Sequence, residues 1–310
     1  MIPLDEIRNA RERLGSDVLR TPLLRFDERT WLKLECLQPI GSFKLRGALS
    51  AVRAAAPSEL AHGVVTASAG NMAQGVAWAA REAGVRARII APENAPRAKL
   101  DAVEELGGEV ILVPHEVWWQ TMVDRRYEGV DGLFVHPVED EAVMAGNGTI
   151  GLELVEELDA FDAVVVPWGG GGLTTGIASA VKVLRPDARI VTAEPETAAP
   201  LAASIAAGKP TEIDYRTSFV DGAGGRALLP TMWAYARELV DAAVAVPIDE
   251  VAAAVRLLAS HARVVAEGAG ALALAAALRG DAGTGRVVCI VSGGNIDAAV
   301  LASVLAGETP

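Results

Sequence analysis

The sequence predicts an α/β protein in which largely parallel, twisted sheets are covered by helices. Three observations support this fold class. Short runs rich in valine and isoleucine recur along the chain, each followed by a helix-like stretch rich in alanine, leucine and charged residues. Several runs, such as Ala163-Val164-Val165-Val166, are apolar at every position. Continuous apolar runs are typical of parallel strands that are buried on both faces.

The strand and helix candidates alternate in chain order. The predicted strands are Leu32–Glu35, Val64–Ala67, Ala87–Ala91, Val110–Val113, Leu133–His136, Ala163–Pro167, Ile190–Glu194, Ala243–Val246 and Val287–Val291. The predicted helices are Met72–Ala83, Arg97–Leu106, Gly151–Leu158, Leu173–Leu184, Asp249–Ala262 and Ala298–Leu305. The segment from about Ala54 to Val143 carries four strand candidates with its own glycine-marked turns, which favours a small domain inserted into a larger one.

Composition excludes several classes of protein. Of 310 residues, 51% are hydrophobic and 22% charged, as in a packed globule, and the net charge of −12 argues against a nucleic-acid partner. Cys36 and Cys289 form no CxxC pair, and the four histidines show no HxH or HExxH pattern, so we expect neither a disulfide scaffold nor a metal site. The chain start lacks a signal-peptide pattern, and the longest apolar run, Ala271–Leu278, is too short to span a bilayer. A cytoplasmic location without membrane contact is therefore expected.

Ligands of open α/β sheets bind beyond the carboxyl ends of strands, and four junctions there are unusual. The first is Gly41-Ser42-Phe43-Lys44-Leu45-Arg46-Gly47, where Ser42 is a candidate helix N-cap and Lys44 falls in the first turn. A cation at that end of a helix is disfavoured by the helix dipole. Lys44 is therefore either a surface lysine or an amine of lowered pKa suited to Schiff-base chemistry.

The second and third junctions predict backbone anion sites. Ser68-Ala69-Gly70-Asn71 directly follows a strand, so its N–H groups can meet an anion, although a turn capped by Ser68 or Asn71 is the alternative. The four glycines Gly169, Gly170, Gly171 and Gly172 also follow a strand and enter a helix. Each glycine costs about 0.5–1 kcal/mol relative to alanine within regular structure, so a phosphate cradle is favoured over a plain loop.

The fourth junction is Ser292-Gly293-Gly294-Asn295, where Ser292 can bond a ring nitrogen or, with Asn295, cap a helix. The four junctions together supply an amine for a Schiff base, an amide for a ring oxygen, a phosphate cradle and a hydroxyl for a ring nitrogen. These groups specify one cofactor, pyridoxal 5′-phosphate.

With these motifs in order, the sequence resembles the serine/threonine dehydratases and serine racemases of the tryptophan-synthase-β group, the fold-type II pyridoxal-phosphate enzymes. The resemblance covers nearly the whole chain. Its motifs are Thr21-Pro22-Leu23, Leu32–Glu35, Gly41–Gly47, Ser68–Gly75, Ala145–Ile150, Gly169–Leu173, Glu194-Pro195, Asp221-Gly222, Glu267–Ala271 and Ser292–Asn295. The family fold implies a large domain of residues 1–65 and 144–310 and a small inserted domain of residues 66–143.

The resemblance implies roles for individual residues. Lys44 would form the Schiff base with the cofactor and act as the catalytic residue, with Phe43 beside the ring. Asn71 would bond the ring oxygen, and Ser292 would meet the pyridine nitrogen. The phosphate would lie on Gly169, Gly170, Gly171, Gly172 and Leu173, while Gly222 and Glu267 line the cofactor. The substrate carboxylate would lie on Ser68, Ala69, Gly70 and Asn71, near Gln74.

The implied activity is β-elimination of water from a 3-hydroxy amino acid such as L-threonine, L-serine or a bulkier analogue, giving a 2-oxo acid and ammonia. Racemisation or β-replacement on the same scaffold is the alternative. Ala69 stands where serine racemases have a second serine that serves as acid and base, which disfavours racemisation. Pro200 stands where metal-dependent members have an acidic residue, six positions after Glu194, so we expect no required metal.

Three tryptophans, Trp118, Trp119 and Trp168, either shape a pocket for a large substrate or belong to the core. The chain ends soon after Ser292, so no appended regulatory domain is expected. Dimers are common in the family, and we expect a homodimer whose only small-molecule partners are its amino-acid substrate and cofactor.

Overall fold

The computed structural model describes all 310 residues and contains two separate sheets. The strands are β1 (Leu23–Arg25), β2 (Thr30–Lys33), β3 (Val64–Ala67), β4 (Ala87–Pro92), β5 (Gly108–Val113), β6 (Leu133–Phe134), β7 (Ala163–Pro167), β8 (Arg189–Pro195), β9 (Ala242–Val246) and β10 (Val287–Ile290). The six-stranded sheet has the order β1-β2-β10-β7-β8-β9, and the four-stranded sheet has the order β5-β4-β3-β6. Every pairing is parallel except β1 with β2. The predicted fold class is confirmed.

Twelve α-helices surround the sheets. They are α1 (Leu4–Leu14), α2 (Lys44–Ala54), α3 (Asn71–Glu82), α4 (Arg97–Glu105), α5 (His115–Asp124), α6 (Glu141–Glu157), α7 (Gly172–Leu184), α8 (Pro200–Ala207), α9 (Pro230–Leu239), α10 (Ile248–Leu257), α11 (Gly268–Leu278) and α12 (Ala298–Leu305). A 3₁₀ turn (Glu35–Leu37) follows β2, and a π turn (Leu258–Ala262) follows α10. None of these helices combines the length and the apolar composition that a bilayer crossing requires.

Helix α6 differs most from its prediction, because it begins ten residues before the predicted Gly151. Asp140 caps it, accepting from the N–H groups of Ala142 and Val143. The glycines that weaken its helix signal permit close packing. A Cβ on Gly148 would lie 2.9 Å from the carbonyl oxygen of Gly176 in α7, and a Cβ on Gly146 would overlap the backbone of α2. Tertiary packing therefore outweighs the low helix propensity of glycine.

Buried ion pairs hold α2 against the six-stranded sheet and α6. Arg46 is 1% exposed, and its Nε donates to Glu35 Oε2 at 2.8 Å while its Nη1 donates to Glu153 Oε1 at 2.6 Å. Lys33 Nζ lies 2.7 Å from Glu153 Oε2, so each buried charge has a partner of opposite sign. Breaking a buried pair typically costs about 3–5 kcal/mol. The network thereby fixes the helix that begins at Lys44.

The predicted strand Leu32–Glu35 lies two residues later than the observed strand β2, which spans Thr30–Lys33. Glu35 lies in the 3₁₀ turn, where Arg46 and Thr21 bond its carboxylate. The predicted helix Asp249–Ala262 also divides, because α10 ends at Leu257 and a π turn covers Leu258–Ala262, after which Arg263 has a left-handed φ of 60°.

Candidate active site

The four predicted junctions lie at the carboxyl ends of parallel strands. The glycine run follows β7, the Ser292 segment follows β10, and the Ser68 loop follows β3 of the smaller sheet. Lys44 begins α2, which the 3₁₀ turn and a short loop connect to β2. Because β2, β10 and β7 are parallel neighbours, their carboxyl ends share one edge of the larger sheet.

Backbone pairing joins the lysine segment to the Ser292 segment across about 250 residues of chain. Phe43 N donates to Ser292 O at 3.0 Å, and Gly294 N donates to Gly41 O at 2.9 Å. Ser292 is 3% exposed. The alternative interpretation of Ser292 and Asn295 as helix caps does not hold, since α12 begins at Ala298 and Asp297 caps it.

Lys44 is the first residue of α2, and its side chain is partly buried at the site. Its Nζ donates to Pro137 O at 2.8 Å and lies 5.2 Å from the centroid of the Phe43 ring. Burial lowers the pKa of Lys44 from 10.5 to about 8, because the charged form loses its hydration. The cap position belongs to Phe43 rather than to the predicted Ser42, whose Oγ accepts from Lys44 N at a long 3.4 Å.

The glycine run forms a concave row of backbone donors at the start of α7. The consecutive N–H groups of residues 169–174 donate to no acceptor within the chain. Gly171 adopts a φ of +97°, which lets the backbone turn into the helix. Side chains are excluded from the run, because a Cβ on Gly170 would overlap the side chain of Val138 and one on Gly172 would lie 2.9 Å from Val138 O. Such a row suits an anion.

Of the remaining cofactor-lining candidates, Gly222 lies against the first glycine of the run and Glu267 lies beyond Gly222. Gly222 O would lie 3.4 Å from a Cβ built on Gly169, and a Cβ on Gly222 would lie 3.5 Å from Glu267 Oε1. Leu173 is 5% exposed within the apolar core beneath the larger sheet. Gly222 therefore lies between the glycine run and the carboxyl group of Glu267.

A chain of amides connects the two sheets at the site. Asn71 Nδ2 donates to Glu267 Oε1 at 2.9 Å, and Asn295 Nδ2 donates to Asn71 Oδ1 at 2.8 Å. Asn295 Nδ2 also lies 3.5 Å from Gln74 Oε1. Burial, followed by the nearby carboxylate of Asp221, raises the pKa of Glu267 to about 7. Glu267 is thus a carboxyl group that can carry a proton near neutral pH.

The Ser68 loop leads from β3 into α3. Ser68 N donates to Ile90 O at 3.0 Å, and Ser68 Oγ accepts from Gly70 N at 3.3 Å. Gly70 occupies the cap position of α3 and Asn71 is its first helical residue, so Asn71 does not cap this helix, whereas the bond from Gly70 N to Ser68 Oγ fits the alternative of a turn capped by Ser68. Ala69 lies between them, half-buried and without a side-chain donor or acceptor.

The three tryptophans differ in their burial. Trp168 is 1% exposed and packs with Met144, Ala180 and Met232 in the core. Its ring lies directly behind the glycine run, since a Cβ on Gly171 would come within 2.5 Å of Trp168 Cη2. Trp118 packs partly buried on the smaller sheet, whereas Trp119 is 45% exposed.

Glu194 has a structural contact that the sequence did not predict. Its carboxylate is fully buried and accepts from Leu201 N at 3.0 Å and Ala202 N at 2.8 Å, at the start of α8. Burial nevertheless raises the pKa of Glu194 to about 8. The backbone after Pro200 therefore satisfies this carboxyl group.

Sequence reasoning missed the segment His136-Pro137-Val138, which contacts both Lys44 and the glycine run. The available signal was the end of the predicted strand Leu133–His136, a fifth junction of strand and loop. Asn295 lies in the fourth predicted junction but is not among the predicted site residues, although it donates to Asn71.

Comparisons with known proteins agree on one group of enzymes. The family model described as "Pyridoxal-phosphate dependent enzyme" matches residues 15–293. An L-threonine ammonia-lyase of Thermotoga maritima is 39% identical over 308 residues, covering 96% of this chain and 76% of that protein. A serine racemase of Oryza sativa is 36% identical over 314 residues, covering 96% and 92%.

Solved structures give the same result. The structure of maize serine racemase matches with a TM-score of 0.88 and 32% identity, covering 98% of this chain and 96% of that one. The processed form of threonine deaminase isoform 2 from Solanum lycopersicum matches with a TM-score of 0.87 and 31% identity, covering 98% and 87%.

Proposed function

Since this chain belongs to the family of pyridoxal-phosphate dependent enzymes, we propose that it eliminates water from a 3-hydroxy amino acid and that hydrolysis of the dehydrated product then releases ammonia. The substrates are L-threonine, L-serine or a bulkier analogue, and the products are a 2-oxo acid and ammonia. One observation carries the proposal. The partly buried amine of Lys44 bonds Pro137 O, and the next residue, Val138, packs against the glycine run, whose N–H groups have no acceptor.

The residues present fit the cofactor. Six consecutive N–H groups without acceptors match a phosphate dianion. Val138 leaves no room for a Cβ at Gly170 and Gly172, so no side chain at these positions covers the N–H groups. A buried lysine with a pKa of about 8 is a better nucleophile at neutral pH than an exposed one. When bound, pyridoxal phosphate supplies an electron sink that stabilises negative charge at the substrate α-carbon.

We assign the cofactor contacts as follows. Residues 169–172 and the amide of Leu173 hold the phosphate, Asn71 bonds the ring oxygen, Ser292 meets the ring nitrogen, and Phe43, Gly222 and Glu267 line the ring. Because serine is a neutral partner, it does not force a proton onto the ring nitrogen as a carboxylate would. This arrangement favours rapid loss of the β-hydroxyl group.

Lys44 has two tasks in the proposed reaction. Its neutral amine would hold the cofactor, and as a free amine it would take the proton from the substrate α-carbon. Pro137 O gives the free amine a defined resting position. The backbone of residues 68–71, with Gln74 beside it, receives the substrate carboxylate and so orients the α-carbon toward Lys44.

The racemase alternative is supported by the similarity to serine racemases. Ala69 argues against it, because its methyl group cannot deliver a proton to the second face of the α-carbon. We therefore propose that elimination exceeds racemisation.

The test is to incubate the purified holoenzyme with L-threonine, L-serine and bulkier 3-hydroxy amino acids and to measure 2-oxo acid, ammonia and the D-amino acid. We expect 2-oxo acid and ammonia in equal amounts. Formation of D-serine from L-serine faster than pyruvate would contradict the assignment and would show that another group replaces the missing serine at position 69.

The lowered pKa of Lys44 gives a pH prediction for the cofactor-free protein. We expect the rate of pyridoxal phosphate capture to rise with pH and to reach half its maximum near pH 8, because only the neutral amine attacks the aldehyde. Between about pH 8 and 10.5 the unfolded chain binds more protons than the folded one, so the stability of the cofactor-free protein also increases with pH there. Stopped-flow absorbance checks the rate, and a profile still climbing toward pH 10.5 would contradict the burial of the amine.

We further propose the domain division into residues 1–65 with 144–310 and residues 66–143. It is supported by the separate four-stranded sheet, whose strands lie between Val64 and Phe134, with β3 beginning two residues before the proposed boundary. We also infer a cytoplasmic homodimer. The two buried, unpaired cysteines suit a reducing compartment, and sedimentation equilibrium tests the dimer directly.

A further inference from the structure

The turn of residues 136–139 lies between β6 and α6 and contacts both Lys44 and the glycine run. Pro137 O accepts from Lys44 Nζ at 2.8 Å. The next residue, Val138, covers the glycine run, since its side chain fills the space beside Gly170 and its carbonyl oxygen that beside Gly172. The conformation of this turn therefore sets the position of the amine relative to the cradle.

One side chain fixes this turn. His136 is 1% exposed, and its Nδ1 accepts from Val138 N at 3.1 Å and from Glu139 N at 2.8 Å. Neither N–H group donates to a backbone carbonyl. An imidazole nitrogen that accepts carries no proton, so the ring proton lies on Nε2, which is 3.8 Å from Glu139 Oε2.

The neutral ring is consistent with its surroundings. Burial, together with the positive charges of Arg125 and Lys44, lowers the pKa of His136 to about 4, and only Glu139 opposes this shift. Nδ1 thus remains an acceptor across the neutral range.

We propose that His136 is a positioning residue whose Nδ1 fixes the turn of residues 136–139. The fixed turn places the Pro137 carbonyl against Lys44 and Val138 against the glycine run. The inference rests on the proposed roles of Lys44 and the cradle in cofactor binding. It assigns no proton transfer to the imidazole and no contact with the substrate.

The covalent geometry of histidine suggests a matched pair of variants. Nδ1 of histidine and Oδ1 of asparagine are both bonded to Cγ, so His136→Asn keeps an acceptor at that position and loses the rest of the ring. His136→Leu has the same branching at Cγ but places a methyl group there. The two variants differ mainly in the ability to accept from Val138 N and Glu139 N.

The experiment measures the dissociation constant of pyridoxal phosphate for each folded apoprotein by absorbance titration. We expect His136→Leu to bind about tenfold more weakly or worse, because two N–H groups lose their acceptor, and His136→Asn to stay within about threefold of wild type. Ser179→Ala is the control for stability alone. It removes the acceptor of Ile2 N, a 2.9 Å bond two turns along α7 from the cradle, and should not change the affinity.

The outcomes separate the two proposals. A wild-type protein that takes up no pyridoxal phosphate would overturn the proposed function. A wild type that binds it, together with an asparagine variant as weak as the leucine variant or a leucine variant as tight as wild type, would overturn the role of His136. Should His136→Leu fail to fold, His136→Asn decides alone: near-native affinity supports the acceptor role, and a tenfold loss contradicts it.

Discussion

Replacing Lys44 by alanine abolishes the visible absorption of the bound cofactor and lowers turnover by at least about a thousandfold. The physical reason is that no other amine can substitute. The chain has four other lysines: Lys33, paired with Glu153 and Glu157; Lys99, paired with Asp221; Lys182, paired with Asp241; and Lys209, which is exposed. None of these four amines bonds residues 137–138, the segment that contacts both Lys44 and the glycine run.

The same substitution should not unfold the protein. Because burial lowers the pKa of Lys44 to about 8, the charged amine is unfavourable in the folded state at pH 7, and its removal relieves that cost. The cofactor-free variant should therefore melt at or near the wild-type temperature. This separates a loss of chemistry from a loss of fold.

Absorbance spectra before and after borohydride reduction, followed by peptide mass analysis, check the prediction. Wild type should carry the reduced cofactor on the peptide that contains Lys44. Lys209→Ala is the control and should keep both colour and activity. A Lys44→Ala protein that remains coloured and active after dialysis would contradict the role assigned to this amine.

The sequence predicted the central strands well because of where they lie. Residues 64–67 and 163–167 are buried throughout and form strands with the predicted bounds. Their continuous apolar runs are a direct consequence of burial on both faces. The strand of residues 23–25 was missed, because it is an edge strand, largely exposed, and its three residues carry no such run.

The candidate site was predictable only in its local parts. Each motif lies beside a strand end and could be found from neighbouring residues. The contacts between motifs depend on the tertiary fold: the pairing of Ser42 with Gly293 and the bond from Asn295 to Asn71 each join segments more than 200 residues apart. His136 was missed because its role depends on two backbone N–H groups and on what the neighbouring residues touch, none of which appears in a residue pattern.

Alanine at position 171 should weaken cofactor binding about 10- to 100-fold, because it displaces the backbone N–H groups that face the phosphate. Gly171 has a φ of +97°, and a left-handed conformation costs any other L-residue about 1–2 kcal/mol. Its new Cβ would also meet the ring of Trp168, with 2.5 Å to Cη2 and 2.7 Å to Cζ2. Overpacking of this kind adds about 1–3 kcal/mol.

The indole ring cannot easily give way, since Trp168 is buried on all sides in the core. The backbone of residues 170–172 must therefore shift, and the N–H groups that face the phosphate shift with it. Titration with pyridoxal phosphate measures the affinity. Gly280→Ala is the matched control. Gly280 has a φ of +87°, and a Cβ added there would meet no atom within 4 Å. This variant therefore carries the cost of a left-handed alanine without a steric clash.

A second substitution identifies the clash as the cause. Trp168→Phe shortens the ring that the new methyl group meets, so the double variant Gly171→Ala with Trp168→Phe should regain part of the lost affinity. Trp168→Phe alone should lower stability by leaving a cavity while binding the cofactor nearly as wild type does. If the double variant binds no better than Gly171→Ala, the displaced backbone is not caused by the indole, and the left-handed φ of Gly171 alone accounts for the loss.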